Sequence, residues 1–226
     1  MKEDSYFIFD WKTITPALGF TLIMWVVFYI ERRFFLSFVD FGVKPGTLKG
    51  LRGVLLSPFI HSGISHLWSN TMPLLVLGTA LSYFYRQQAF SVMFYGIILS
   101  GLLTWLIGRP SFHIGASGVI YMLVFFLFFK GIFTKYYRLI ALSFLVAFFY
   151  GSLVWYVLPV DKEISWEGHL SGAVVGVVLA VTTRNKLPVK EKFLWEKSDF
   201  NASEDAFMQQ FDENGNFFEI IRDEEE

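Results

Sequence analysis

"HIGASGVIYM", residues 113–122, decides how the rest of the chain is read. Ser117 lies between two glycines, Gly115 and Gly118, at the mouth of a long apolar run. A hydroxyl there is either a helix-packing detail or a nucleophile. A lone serine in an apolar helix ordinarily bonds the carbonyl four residues back. Gly-x-Ser-Gly is also not the full G-x-S-x-G elbow of the soluble hydrolases. The two readings separate on whether other polar residues reach the same depth.

The surroundings are those of a membrane. Of 226 residues, 54% are hydrophobic, 19% aromatic and only 17% charged, against roughly 25% charged in ordinary globular domains. Mean hydropathy is +0.48. The charges gather in the N-terminal quarter and after residue 183. This composition indicates a polytopic membrane protein with a short soluble tail. A net charge of −1 argues against a nucleic-acid partner. Cysteine is absent, which excludes disulfides, zinc–thiolate sites and thiol catalysis. The start "MKEDSYFIFDWK" is acidic and aromatic, unlike the basic leader of a signal peptide, so the first apolar segment reads as a retained helix.

Six stretches come near the roughly 20 residues needed to cross a bilayer. They are Thr15–Ile30, His66–Tyr83, Ala89–Leu106, Gly115–Phe133, Tyr137–Leu158 and Gly168–Thr183. The fold expected is an all-α membrane protein, a six-helix bundle over 15–183. Residues 1–14 form a short cytoplasmic N-terminus. Residues 184–226 form a soluble acidic tail, with one short amphipathic stretch near Phe207–Phe211. The long connection 31–65 mixes Arg32, Arg33, Lys44, Lys49 and Arg52 with aromatics, and reads as a folded, partly embedded loop. An even number of spans puts both ends on one side. That side carries ten lysines and arginines near the spans against seven on the other, which favours both ends in the cytoplasm.

With this topology the polar residues converge. Ser117 opens the fourth span, His169 the sixth, and His66 and Asn70 the second. All three spans start from the same non-cytoplasmic side, so residues more than 100 positions apart fall at similar depth. Polar groups within a membrane are costly and mark sites. A serine needs a base to become a nucleophile, and histidine is the commonest base near neutral pH. Gly168, Gly172 and Gly176 recur every four residues and allow the sixth helix to approach a neighbour closely. Tyr121 shares the face of Ser117 one turn on and is expected to pack against the imidazole. The Ser117 amide lies among the unpaired N–H groups of a helix start. His66 and Asn70, four apart, add two side-chain donors for an oxyanion.

Taken together, "HSGISHLWSN" (His61, His66, Asn70), then "GASG", then "GHLSGAVVG" resembles the rhomboid intramembrane serine proteases, over roughly residues 15–183. The resemblance implies a dyad, with Ser117 as nucleophile and His169 as general base. It implies an oxyanion hole of His66, Asn70 and the Ser117 amide. It also implies that Tyr121 stacks on the base and that His61 is a structural residue before the second helix. No cofactor or metal is implied. The partners implied are transmembrane protein substrates, cut beside small residues near the outer face, and the lipid bilayer, in a bacterial plasma membrane. Oligomeric state is left open. Many family members carry Trp-Arg in the first loop, whereas here Leu51 precedes Arg52.

Rival readings fare worse on the residues. A catalytically inactive relative that binds membrane proteins would lack the serine or the histidine, and both are present. A zinc protease would show H-E-x-x-H, which is absent. A transporter would show paired broken helices or buried charges. Glu167, two residues before His169, points away from it on a helix and is not read as a third member of a triad. His113 reads as an interfacial loop residue.

Overall fold

The computed structural model describes residues 7–159 and 164–184 and, in the tail, 193, 196, 198, 200, 201, 203, 205, 207–212 and 214–218. Among these the chain is helical without strands. The long helices are α1 (Trp11–Arg33), α3 (Ile64–Phe84), α4 (Ala89–Ile107), α5 (Ser117–Thr134), α6 (Tyr137–Tyr150) and α7 (Trp166–Thr182), with a one-turn α2 (Gly53–Leu56) in the first loop. Four segments are long and apolar enough to cross a membrane: α1, α4, α5 and Tyr137–Val157. Helix α3 has 21 residues but opens on the polar "ISHLWSN". Helix α7 is apolar and has 17. Helices suit such sequences because each satisfies its backbone polar groups internally, which a hydrocarbon solvent requires.

Helix α5 is the hub. It touches α3, α4, α6 and α7, and ten of its 18 residues are buried. A helix apolar on all sides belongs in such a centre. Helix α1 lies on α3, where Gly78 lets Ala17 come close and the Trp25 indole donates to the Thr71 hydroxyl at 3.0 Å. Asp10 caps α1 in a reciprocal box with Thr13 and also pairs with Arg86, beyond the end of α3, at 2.6 Å. The buried Lys130 of α5 donates to the Ala180 carbonyl at 3.0 Å and to that of Thr183, so it caps the end of α7. A cation at a helix C-terminus also opposes the negative end of the helix dipole.

The first loop is folded throughout. Glu31 accepts from the Phe38 amide at 2.6 Å, and Trp105 of α4 donates to the Thr47 carbonyl at 2.8 Å. Val43 and His113 exchange two backbone hydrogen bonds, 3.0 and 2.8 Å. Arg52 donates to the Asp40 carbonyl and lies 4.2 Å above the Phe41 ring, so it has an aromatic partner although Leu51 stands before it. Phe35, Leu48 and Leu55 point outward.

Two of the expected spans differ in detail from the helices. The fourth begins at Ser117 rather than Gly115, because Gly115 has φ +104°, a left-handed value that stops a helix. The fifth is α-helical only to Tyr150. From Gly151 the chain tightens into a 3₁₀ turn, Gly151–Val157. Glycine is a poor helix former and the segment that follows is β-branched and aromatic, which favours such a break. The chain divides into two compact units, Phe7–Lys186 and one that includes the tail from Leu187. In the tail, Met208–Gln210 make a 3₁₀ turn, and Phe211 pairs with Phe217 around a turn where Asp212 accepts from the amides of Asn214 and Asn216.

Candidate active site

Ser117 is the first residue of α5, and half-buried. Its amide is one of the N–H groups that a helix start leaves without an intrahelical partner. The approach to it is built by Gly115. Its amide donates to the Ser57 carbonyl at 2.9 Å. A Cβ on Gly115 would lie 2.6 Å from Nε2 of His66 and 3.9 Å from the Asn70 amide nitrogen. The two α3 side chains therefore come against the backbone just before Ser117, and only glycine leaves them room.

His66 and Asn70 occupy one face of α3. The Asn70 amide donates to the His66 carbonyl at 2.8 Å, which uses one of its two hydrogens. Nδ1 of His66 lies 3.2 Å from the Ser62 hydroxyl. When that hydroxyl is the donor, Nε2 carries the proton and points toward Gly115 as a second donor. His61 is buried, with its ring edge-on to His66 at 5.0 Å between centroids. It braces His66 from behind.

The glycine stripe of α7 performs the close approach expected of it. A Cβ on Gly172 would lie 2.1 Å from the Gly118 carbonyl oxygen, and one on Gly176 would lie 2.5 Å from the carbonyl oxygen of Met122. A Cβ on Gly118 would in turn be 3.3 Å from the Gly168 oxygen. Backbone therefore meets backbone along α5 and α7. The contact brings Tyr121 onto His169, their rings stacked with centroids 4.2 Å apart and planes 8° from parallel. His169 is 8% exposed and Tyr121 3%. Among the described residues no hydrogen bond joins the Ser117 hydroxyl to His169. Such bonds are often long in unliganded enzymes and tighten with substrate.

Two further carbonyls hold the stacked pair, both from the 3₁₀ turn Gly151–Val157. Nδ1 of His169 lies 2.9 Å from the Tyr156 carbonyl oxygen, and the Tyr121 hydroxyl donates to the Leu153 carbonyl at 2.9 Å. Sequence reasoning missed both. Every residue has a carbonyl, so no residue type announces these two.

Glu167 pairs with Arg109 and makes no hydrogen bond to His169 among the described residues. It is 2% exposed, and its Oε1 lies 3.4 Å from Nε of Arg109 and 3.3 Å from the Arg109 amide. His113 lies in the loop between α4 and α5 and is 5% exposed. Its ring bridges the Ser165 hydroxyl and the Arg109 carbonyl, and its backbone pairs with Val43. Arg109 also donates to the Ile164 carbonyl. These contacts fasten the first loop and the α4–α5 loop to the start of α7. A small cavity beside Ser117 is lined by several hydroxyls, among them Ser57, Ser100, Thr104 and Ser165.

Comparison with known proteins agrees with this architecture. Residues 49–186 match the model of the Rhomboid domain. An uncharacterized protein of Mycobacterium tuberculosis is 37% identical over 175 residues, covering 74% of this chain and 73% of its own length. One from Mycobacterium bovis matches to the same extent. An uncharacterized protein of Mycobacterium leprae is 34% identical over 172 residues, 72% of this chain and 68% of its own. With its apolar helices and a domain match across more than half of its length, this chain is an integral membrane protein of the rhomboid family.

Proposed function

We propose that this protein is an intramembrane serine endopeptidase that cuts transmembrane segments of other membrane proteins through Ser117 and His169. The observation that carries the proposal is the stacked, hydrogen-bonded His169 on α7, one helix contact from a serine at the free N-terminus of α5.

In this mechanism Nε2 of His169 takes the proton of the Ser117 hydroxyl as Oγ attacks the scissile carbonyl carbon. The tetrahedral oxyanion is met by the Ser117 amide, Nε2–H of His66 and the free hydrogen of the Asn70 amide. His169 then gives its proton to the leaving amine, and the acyl group stays on Ser117. A water, activated by the same imidazole, attacks the ester and restores the hydroxyl. The whole cycle is proton transfer and acyl transfer, and side chains and backbone of this chain supply every group.

Six spans, with both termini in the cytoplasm of a bacterial cell, put the dyad near the outer face. The mycobacterial relatives support a bacterial setting, and the excess of basic residues on the terminal side supports this orientation. Residues 15–183 would form the protease domain, with 184–226 a soluble appendage.

Labelling with a fluorescent fluorophosphonate in detergent tests the reading. The parent is expected to label and to cleave a transmembrane reporter, and Ser117→Ala and His169→Ala each to lose both while remaining folded. A folded parent that neither labels nor cleaves would assign the scaffold to binding of membrane proteins without catalysis.

A further inference from the structure

A base that works on Ser117 through Nε2 must carry its own proton on Nδ1, and a serine–histidine pair without a carboxylate has no side chain to fix that choice. The acceptor within hydrogen-bond reach of Nδ1 is the Tyr156 carbonyl at 2.9 Å. A carbonyl oxygen can only accept, so this bond requires Nδ1–H and leaves the Nε2 lone pair free. Glu167, the nearest carboxylate in sequence, is engaged by Arg109 instead.

The same turn holds the other half of the stack. The Tyr121 hydroxyl donates to the Leu153 carbonyl at 2.9 Å, three residues before Tyr156. Ring and turn are therefore bound at two points, one through the imidazole and one through the tyrosine that covers it. The turn also packs against α7 and α6. It follows α6, which packs on α5. Behind it, Tyr150, Gly151 and Val154 line an apolar cavity of about 240 Å³ between α5 and α6. The segment makes about two 3₁₀ turns, and these two bonds tie its carbonyls to the stacked pair.

We infer that the 3₁₀ turn Gly151–Val157 is the positioning element of the base: the Tyr156 carbonyl selects the Nδ1–H tautomer of His169, and the Tyr121–Leu153 bond keeps that carbonyl in register. This rests on the dyad proposed above. It assigns the role of a third triad member to backbone, and gives Tyr121 a hydroxyl function separate from its stacking.

The test is nitrogen NMR of ¹⁵N-histidine-labelled protein in detergent at a pH where the imidazole is neutral, with His169 assigned by its loss in His169→Gln. The Nδ1–H tautomer is expected in the parent and, unchanged, in Ser117→Ala, which needs no activity to be read. Tyr121→Phe keeps the stack and removes the hydroxyl. It is expected to mix the tautomers and to lower kcat about 10- to 100-fold with KM little changed, the scale of a misplaced catalytic group. Replacing the Val157 amide by an ester, which weakens the Tyr156 carbonyl as an acceptor, should shift the tautomer in the same direction. An Nε2–H tautomer in the parent overturns the inference, as does Tyr121→Phe with parental tautomer and kcat. Failure of the protease reading looks different: no labelling by fluorophosphonate, with the tautomer as stated.

Discussion

Gly172 of α7 and Gly118 of α5 meet so closely that a methyl group on the first would sit 2.1 Å from the carbonyl oxygen of the second. That oxygen belongs to the residue after Ser117, and Gly172 lies three residues after His169. The same contact that packs the two helices therefore also sets how near the hydroxyl comes to the imidazole. The obstacle is backbone, which cannot swing aside as a flexible side chain does.

Gly172→Val should accordingly separate α5 from α7. We expect a destabilisation of at least about 2 kcal/mol, the scale of overpacking at a tight contact, together with loss of cleavage. Thermal unfolding in detergent, beside a reporter assay, checks both. Gly19→Ala is the control: a Cβ there meets nothing within 4 Å, and the variant should unfold at or slightly above the parent temperature.

Gly115 has two reasons to be glycine, φ +104° and the His66 ring 2.6 Å from any Cβ. Gly115→Ala should therefore cost about 1–3 kcal/mol in backbone strain and push His66 off the loop. Cleavage per folded molecule should fall while Ser117 still labels slowly with fluorophosphonate. Parental turnover in this variant would mean that His66 does not contact the reacting oxygen.

His66→Ala and Asn70→Ala should each leave residual activity, because each removes one of the three donors proposed for the oxyanion. A drop in kcat on the order of 10²–10³ is expected where the contact is strong, with KM nearly unchanged. Either variant cleaving at the parent rate would remove that residue from the oxyanion hole.

Glu167→Gln separates structure from chemistry. It breaks the pair with Arg109 that fastens the α4–α5 loop to α7, so thermal stability should fall by about 1–3 kcal/mol. The fluorophosphonate labelling rate per folded molecule should not change. A selective loss of labelling without loss of stability would restore Glu167 to the reaction.

Asp10 provides a pH dependence whose sign is set by its partner. The hydrogen bond from Arg86 holds its carboxyl below the usual value of 3.8. A lowered carboxyl stabilises the folded state above the unfolded value, and that contribution disappears as pH falls through the folded one. Both groups are exposed, so the effect is small at neutral pH. Unfolding temperatures of the parent and Arg86→Gln should converge at acid pH and differ slightly at neutral pH.

Much of the site was legible because its residues obey one-dimensional rules. Glycines four apart mark a helix face that accepts a close neighbour; Gly172 and Gly176 do face α5, whereas a Cβ on Gly168 would meet Ser165 and Thr104 of α4. Tyr121, one turn from Ser117, stacks on His169 as its position implied. The contacts of the loop residue His113 were not legible, because burial of a loop depends on what covers it, here Ser165, Arg109 and Val43. The fifth span agrees in extent with the segment Tyr137–Val157, but the change of backbone at Gly151 within it was not legible from hydropathy.

Local spacing and composition were enough to establish a helical membrane protein of this family. Periodicity and transfer free energy depend only on neighbouring residues, so they can be read along the chain. The bond between His169 and the Tyr156 carbonyl, the burial of His113 and the pairing of Glu167 with Arg109 arise only when distant segments meet. Hydrogen bonds to backbone carbonyls and contacts across loops leave no residue-type pattern, and packing alone selects them.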